Sequence, residues 1–581
     1  MFHPHWREQA LARLNETFDL VIIGGGITGC GILMDAAQRG LRALVLEKED
    51  IAAGTSSRSS KLIHGGLRYL KQMQFRVTRL ACRERDRMLV LNPDLVRPIQ
   101  FLYPARQGDK IPGWTVDLGL WMYDRLTSRP EKHTHLEPEE VREIAPGLIT
   151  ENLDRTMAYT DAVCDDAQLT LAVAATGFAY GGLMLTRAEV IEAVVGSSGR
   201  INAVMVRDLE SGQTHRVQGH LVINAAGVWV DQVRAAFGVS GTRLRPARGS
   251  HIIFTPDRLS LKAAVTIPSP DDGRPVFLIP HPEGILMGTT DLYHEGSLDD
   301  PRPTQAEVTY LLRAVQSQYP ERNLTQTDIV AAFAGVRPIL YSHTNDPSEA
   351  SREEDIWEER GMLSVAGGKL TTWRQTAEEA VDEALKFLPE ERTRAVAPCY
   401  TTGTPLVDLA PPDLAERLQQ VHSLAAPIAV SMARRLRAAA WWVPWLARHP
   451  ETHPGLLRRL RALAPWAHKM ARDDSELSPL LDGTDLSAAE VRVHLAFGAV
   501  VRLDDLLIRR ARIGLWQPAL ARELVPRLQP IFEQEMGWDH QRWQRETEAF
   551  DQALQGWSVQ GVREKPPYQE DAGASGAAPS R

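Results

Sequence analysis

The stretch Phe18–Leu46, FDLVIIGGGITGCGILMDAAQRGLRALVL, decides the fold. Phe18–Ile23 reads as a buried strand, and the glycine cluster after it as a turn. Ile27–Arg39 reads as a helix stopped by Gly40, and Ala43–Leu46 as a second strand. The spacing Gly24-x-Gly26-x-x-Gly29 stands between the first strand and the helix, and Glu47 closes the second strand 18 residues after Gly29. Gly24 permits the tight turn, Gly26 lets the backbone approach a pyrophosphate, and Gly29 lets helix and strand pack. The helix N-terminus then offers N–H groups and a positive dipole end to phosphates, and Glu47 is placed to accept hydrogen bonds from an adenosine ribose. The unit is a Rossmann-like dinucleotide site.

Segments further along choose between NAD and FAD. Leu221–Trp229 (LVINAAGVW) is a buried strand running into a small-residue turn that contains Ala225 and Gly227, and Gly367-Gly368-Lys369 opens a helix much later. A ligand touched by three segments spread over about 350 residues suits the long FAD molecule, with a substrate domain inserted between them. Residues 182–226 read as β-rich, 276–288 as a hairpin, and 362–388 as strand, glycine turn and helix. Residues 398–412 accumulate proline and threonine as a linker would, and the chain beyond is helical in pattern to about residue 554. The tail from Arg563 has few apolar residues and is expected to be disordered.

Composition narrows the function. A chain of 581 residues is long enough for several domains, and 66 Lys and Arg against 74 Asp and Glu give a net charge of −8, which argues against a nucleic-acid-binding surface. The four cysteines lie far apart with no C-x-x-C pair, so neither a disulfide framework nor a cysteine zinc site is indicated, and no other motif suggests a metal. No signal peptide and no transmembrane-length apolar run is present, so a cytoplasmic chain is expected. Two stretches stand apart. Arg58–Arg87 holds nine basic residues and two acids, and Ser431–Arg472 holds nine basic residues, one acid and the run AAAWWVPWLA with Trp441, Trp442 and Trp445. Basic and aromatic residues together fit attachment to an anionic membrane surface, with Leu118–Tyr123 (LGLWMY) as a further apolar contact.

The segments IGGGITGCGILMDAAQRG (23–40), TSSRSSKLIHGGLRYL (55–70), GSH (249–251), GTTD (288–291), GVRP (335–338) and GGKLTTWR (367–374) make the chain resemble the FAD-dependent, respiratory glycerol-3-phosphate dehydrogenase family. The resemblance covers roughly residues 18–390 and then thins to RLDDLLIRRARIG (502–514). Leu33 stands where the family usually has alanine and Trp373 where it usually has tyrosine, and residues 424–482 depart more. The implied architecture is α/β: a Rossmann-like FAD-binding domain with an interleaved mixed or antiparallel β substrate domain of D-amino-acid-oxidase type, followed by a C-terminal α-helical domain. The expected segments are 18–90, 155–240 and 330–395 for FAD binding, 91–154 and 241–329 for substrate, 398–412 as linker, 413–560 as helical domain and 561–581 as tail. The implied reaction is oxidation of sn-glycerol 3-phosphate to dihydroxyacetone phosphate by hydride transfer to FAD. Electrons would pass to a quinone at the inner face of the cell membrane, where the protein would be held peripherally, with a homodimer among the expected partnerships.

Such a reaction needs a base for the hydroxyl proton and cations for the phosphate. The resemblance implies a substrate pocket of Arg68, Tyr69, His251, Arg337, Arg352 and Lys369, in which the arginine forks suit a phosphate dianion. On the cofactor side it adds Thr55, Ser56, Ser57, Lys61, Leu62, His64, Gly65, Gly368, Leu370 and Thr371 to the residues above. His251, opening the apolar strand HIIF, is the candidate base. Arg337 competes, although its high pKa makes it a better electrostatic stabiliser. Lys369 either reaches the phosphate or, with the turn at Gly367-Gly368, offsets charge on reduced flavin. Two rival readings remain at this stage: an oxidase that uses O2, and a non-catalytic flavin-bearing sensor at a membrane surface.

Overall fold

The computed structural model describes residues 2–67, 70, 73–128, 131–341, 354–406 and 454–564. Its first sheet is built on Thr17–Ile23, which pairs in parallel with Ala43–Leu46 on one side and Thr214–Asn224 on the other. Met362–Ala366 continues the parallel set beyond Thr214–Asn224, and Leu183–Leu185 continues it beyond Ala43–Leu46. Antiparallel strands complete eight in all. A parallel strand covered on both faces is apolar on both, which is why Leu20–Ile23 and Leu221–Ile223 are continuous apolar runs and not alternating ones. The fingerprint helix Ile27–Gln38 packs against Asp166–Ala179 and Trp373–Leu385. Leu33 fits there because Gly177 and Gly182 leave it room: a β-carbon on Gly182 would sit 2.8 Å from a Leu33 methyl.

The second sheet has ten strands, antiparallel apart from the pairing of Ala264–Pro268 with Val96–Arg106. Ala247–Phe254 is buried along its length between Gly284–Gly288 and Ile329–Arg337, with His251 opposite both Gly288 and Phe333. Leu153–Cys164 and Ile329–Arg337 also belong to this sheet, although residues 155–240 and 330–395 were expected to serve FAD binding.

Beyond residue 454 the described chain is helical, with Pro518–Met536 and His540–Gln555 the longest elements. The segment RLDDLLIRRARIG is its anchor. Arg509 and Arg510 reach Asp50 at 2.5 and 2.8 Å, Arg187 pairs with Asp505, and Arg512 reaches Asp165 and Asp166, each at 2.8 Å. These groups are buried apart from Asp165, and removing one partner of such a pair costs about 3–5 kcal/mol.

The same network corrects part of the membrane-surface reading. Lys61, counted among the nine basic residues of Arg58–Arg87, is fully buried with its ammonium 2.7 Å from Asp166, and buried Arg85 reaches Asp161 at 2.5 Å. Neither side chain meets solvent. Arg76, Arg79 and Arg83 do, along one face of the helix Phe75–Leu91. Met73 (71% exposed) and Phe75 stand beside its start. The neighbouring helix Gly113–Leu126 exposes Trp114 (61%), Leu118 and Trp121 (47%). Trp441, Trp442 and Trp445 lie outside the described residues, as does the segment 407–453 around them. No described helix is long and apolar enough to cross a membrane, and all four cysteines are free thiols.

Candidate active site

A cavity of about 1600 Å³ runs from the glycine turn of the first sheet to the face of the second. Small-molecule sites usually occupy ~300–1,000 Å³, so this one has room for a large cofactor and a substrate together. The turns after three adjacent parallel strands meet at one end: Gly24 and Gly26 after Thr17–Ile23, Ala225 and Gly227 after Thr214–Asn224, and Gly367, Gly368 and Lys369 after Met362–Ala366. Their gathering at the carboxyl ends of the strands is where open α/β sheets bind ligands. Gly24 has φ +110°, and a β-carbon on it would lie 2.6 Å from the Ala225 carbonyl oxygen. Gly29 is buried; a β-carbon there would lie 1.9 Å from the Gly24 oxygen, so it acts by close packing and does not line the cavity.

The helix N-terminus is held by Ser56, whose Oγ accepts a hydrogen bond from the Ile27 N–H at 2.9 Å, and Thr55 donates to the Val336 carbonyl at 2.6 Å. Glu47 accepts from the N–H groups of Gly25 (2.6 Å) and Glu49 (2.7 Å). Burial nevertheless pushes its carboxyl up to about 7. Leu62, His64, Leu370 and Thr371 line the middle of the cavity, where Thr371 Oγ accepts from the His64 N–H at 3.2 Å. Three expected cofactor residues stand outside the cavity lining. Ser57 is fully buried outside the lining, Lys61 is turned into the ion-pair network with Asp166, and the Gly65 N–H donates to the Tyr123 hydroxyl at 2.8 Å, away from the cavity.

The other end is made of side chains. His251 is buried, stacks on Phe333 with ring centroids 4.9 Å apart, and has Nε2 2.8 Å from Ser60 Oγ; its Nδ1 is buried without a hydrogen-bond partner. Burial first, then the charges of Arg337 and Lys61, push its pKa down to about 3, so the ring is neutral. Arg337 donates to Asp291 Oδ1 at 2.8 Å and to Thr289 Oγ at 3.1 Å, and Arg274 reaches the other oxygen of Asp291 at 3.3 Å. The two guanidinium groups thus share one carboxylate, and all three residues line the cavity. The motif glycines make this possible: a β-carbon on Gly249 would lie 2.4 Å from the Arg337 guanidinium, and one on Gly288 would lie 2.2 Å from the His251 ring. Arg68, Tyr69 and Arg352 lie outside the described residues. Sequence reasoning missed Ser60, Arg274, Asp291 and Phe333 as parts of this site. Ser60 and Asp291 were within quoted motifs, whereas Arg274, in the loop DDGRP, gave no signal.

The model for FAD-dependent oxidoreductases of the DAO type matches residues 19–349. An aerobic glycerol-3-phosphate dehydrogenase of Staphylococcus haemolyticus is 37% identical over 396 residues, 68% of this chain and 71% of that one. Its counterpart in Staphylococcus aureus strain USA300 is 36% identical over 393 residues, 67% and 71% of the two chains. The chain belongs to the FAD-dependent glycerol-3-phosphate dehydrogenase family. Among solved structures, that of the Bacillus halodurans glycerol-3-phosphate dehydrogenase complexed with FAD superposes with a TM-score of 0.74 at 25% identity, over 98% of this chain and 99% of that one. The likeness therefore runs on through the C-terminal helices, where the sequence resemblance had thinned. The cofactor of the family is FAD, and the residues present fit it: the cradle at Gly24 that a side chain would close, the helix N-terminus at Ile27, and a cavity long enough to touch three strand ends.

Proposed function

We propose that the protein oxidises sn-glycerol 3-phosphate to dihydroxyacetone phosphate and passes the electrons to a membrane quinone. The observation that carries this reading is the pairing of Arg337 and Arg274 on Asp291 next to a neutral His251, at the far end of the cavity from the dinucleotide turn. FAD, when bound, supplies the acceptor for the hydride leaving C2. Gly24, Gly26, Ser56 and the N-terminus of Ile27–Gln38 would hold its phosphates, and Glu47 would hold its ribose. At the substrate end Arg337 and Arg274 take the phosphate dianion, with Asp291 and Thr289 fixing the Arg337 fork. The His251 ring accepts the hydroxyl proton from the C2 oxygen, leaving the ketone. A dianion beside Arg337 offsets one of the charges that depress the ring, so substrate binding raises its proton affinity when it is needed. Lys369, at the helix-opening turn, would face the cofactor side of the cavity. The exposed stripe Trp114, Leu118 and Trp121 beside Arg76, Arg79 and Arg83 favours a lipid interface, and with it a quinone over O2 as the acceptor.

Anaerobic addition of millimolar glycerol 3-phosphate to the yellow protein is expected to bleach its flavin absorbance. Persistence of the oxidised spectrum would falsify the substrate assignment. Turnover in air with a short-chain quinone, without stoichiometric peroxide, is expected for the acceptor.

A further inference from the structure

On the helix Gly113–Leu126 lies a cluster that no step of the reaction uses. Asp117 and Asp124 are seven residues apart, two helical turns, and so share a face. His133 and His135 flank Thr134 at the start of the strand Thr134–Leu136, and alternation in an extended chain turns both toward that face. Both Nε2 atoms converge on one oxygen: His133 Nε2 is 3.0 Å and His135 Nε2 is 2.9 Å from Asp117 Oδ1, with the two rings nearly perpendicular. The other nitrogen of His133 is 2.7 Å from Asp124 Oδ2. Arg155 occupies the second oxygen of Asp117 at 3.2 Å, which leaves Oδ1 to the histidines.

A neutral imidazole carries one N–H. With Nδ1–H donating to Asp124, the His133 Nε2 lone pair can join His135 Nε2 and Asp117 Oδ1 around a cation. A histidine whose far nitrogen donates to a carboxylate is the usual arrangement of a metal-bound imidazole. We propose that Asp117, His133 and His135 form a zinc site with Asp124 as the positioning residue for His133. Two imidazoles and one carboxylate suit Zn²⁺ over Mg²⁺ or Ca²⁺, which prefer oxygen alone. Tetrahedral Zn²⁺ with bonds near 2.0–2.1 Å sets its ligand atoms ~3.3 Å apart, so each histidine–carboxylate pair needs to open by only a few tenths of an ångström, and all three ligand atoms already lie within 4.8 Å of one another. The fourth position faces solvent beside His135, the most exposed of the three at 55%. The same helix turns Thr115, Val116, Gly119 and Met122 to the cavity, so the metal would pin a cavity wall to the edge of the second sheet.

Titration of the FAD-loaded protein with Zn²⁺ against a chromophoric chelator tests the assignment. The expected result is one tightly bound Zn²⁺ per chain and a raised melting temperature, with no comparable response to Mg²⁺. His135→Ala should abolish the binding, and Asp124→Asn should weaken it about ten-fold, both with the flavin spectrum unchanged. Absence of binding to the unmodified protein, or binding undiminished in both variants, overturns the proposal.

Discussion

The two ends of the cavity are built from different material. At the dinucleotide end the cavity wall is largely backbone: glycine turns after three neighbouring strands and the first N–H groups of a helix. At the substrate end it is side chain: one imidazole, two guanidinium groups and a shared carboxylate, mounted on strands of the second sheet and the loops between them. Backbone recognition tolerates no added atom and does not depend on neighbouring charge. Side-chain recognition tolerates truncation structurally but changes its chemistry with every charge removed. Substitutions at the two ends should therefore fail differently, the first losing cofactor and activity together and the second losing activity with cofactor in place.

Gly24→Ala is expected to have the largest effect. Its β-carbon would press on the Ala225 carbonyl at 2.6 Å from a residue already at φ +110°, so the turn must open and the phosphate cradle with it. The protein should purify colourless, with a flavin-to-protein ratio near zero and no turnover even with added FAD. A yellow Gly24→Ala protein with ordinary turnover would erase the distinction between the two ends.

The same contrast explains what could be read from the sequence. The dinucleotide end was legible because backbone recognition needs residues at fixed short spacings, and Gly24, Gly26, Gly29 and Glu47 keep theirs within one βαβ unit. The substrate end was legible only where a motif carried it, as with His251 in GSH and Arg337 in GVRP. Arg274 is invisible in one dimension: its importance lies in sharing Asp291 with Arg337, and 63 residues separate the two arginines along the chain. Lys61 shows the opposite case. It stands in a distinctive motif, yet its charge is needed by Asp166 to hold the C-terminal helices, so motif membership gave the right neighbourhood and the wrong direction. The cluster of Asp117, His133 and His135 escaped for the same reason as Arg274, since its residues converge from a helix and a strand.

Arg337→Ala should cost about a hundred- to a thousand-fold in kcat/KM, the range for removing one hydrogen-bonded charge from a desolvated site, with FAD fully retained. Arg274→Ala should cost less, because Asp291 then keeps its bond to Arg337. Loss of flavin from Arg337→Ala would move that residue to the cofactor end. The substitution also has a titration signature. Arg337 is, after burial, the largest influence holding His251 near a pKa of 3, and removing a like charge raises a histidine pKa. Ring signals of His251 should show no protonation from pH 8 down to 5 in the unmodified protein and should begin to titrate at higher pH in Arg337→Ala. Because the depressed value lies below that of the unfolded chain, the neutral ring disfavours the fold progressively as pH falls below about 6.5, and Arg337→Ala relieves part of that penalty.

Ser60→Ala is the finest probe. Its hydroxyl, 2.8 Å from Nε2, fixes the rotation of the His251 ring, while stacking on Phe333 holds the ring in place without it. Losing one such bond is worth about 1 kcal/mol, so kcat should fall about five-fold and flavin content should not change. If the serine acts only by presenting the imidazole, its effect must vanish once the imidazole is gone. Ser60→Ala added to His251→Asn should then cost nothing further, whereas two independent sites would multiply their losses. A multiplied loss would remove His251 from the proton's path and leave Arg337 as the remaining candidate, which makes the smallest effect at the substrate end the one that decides how that end works.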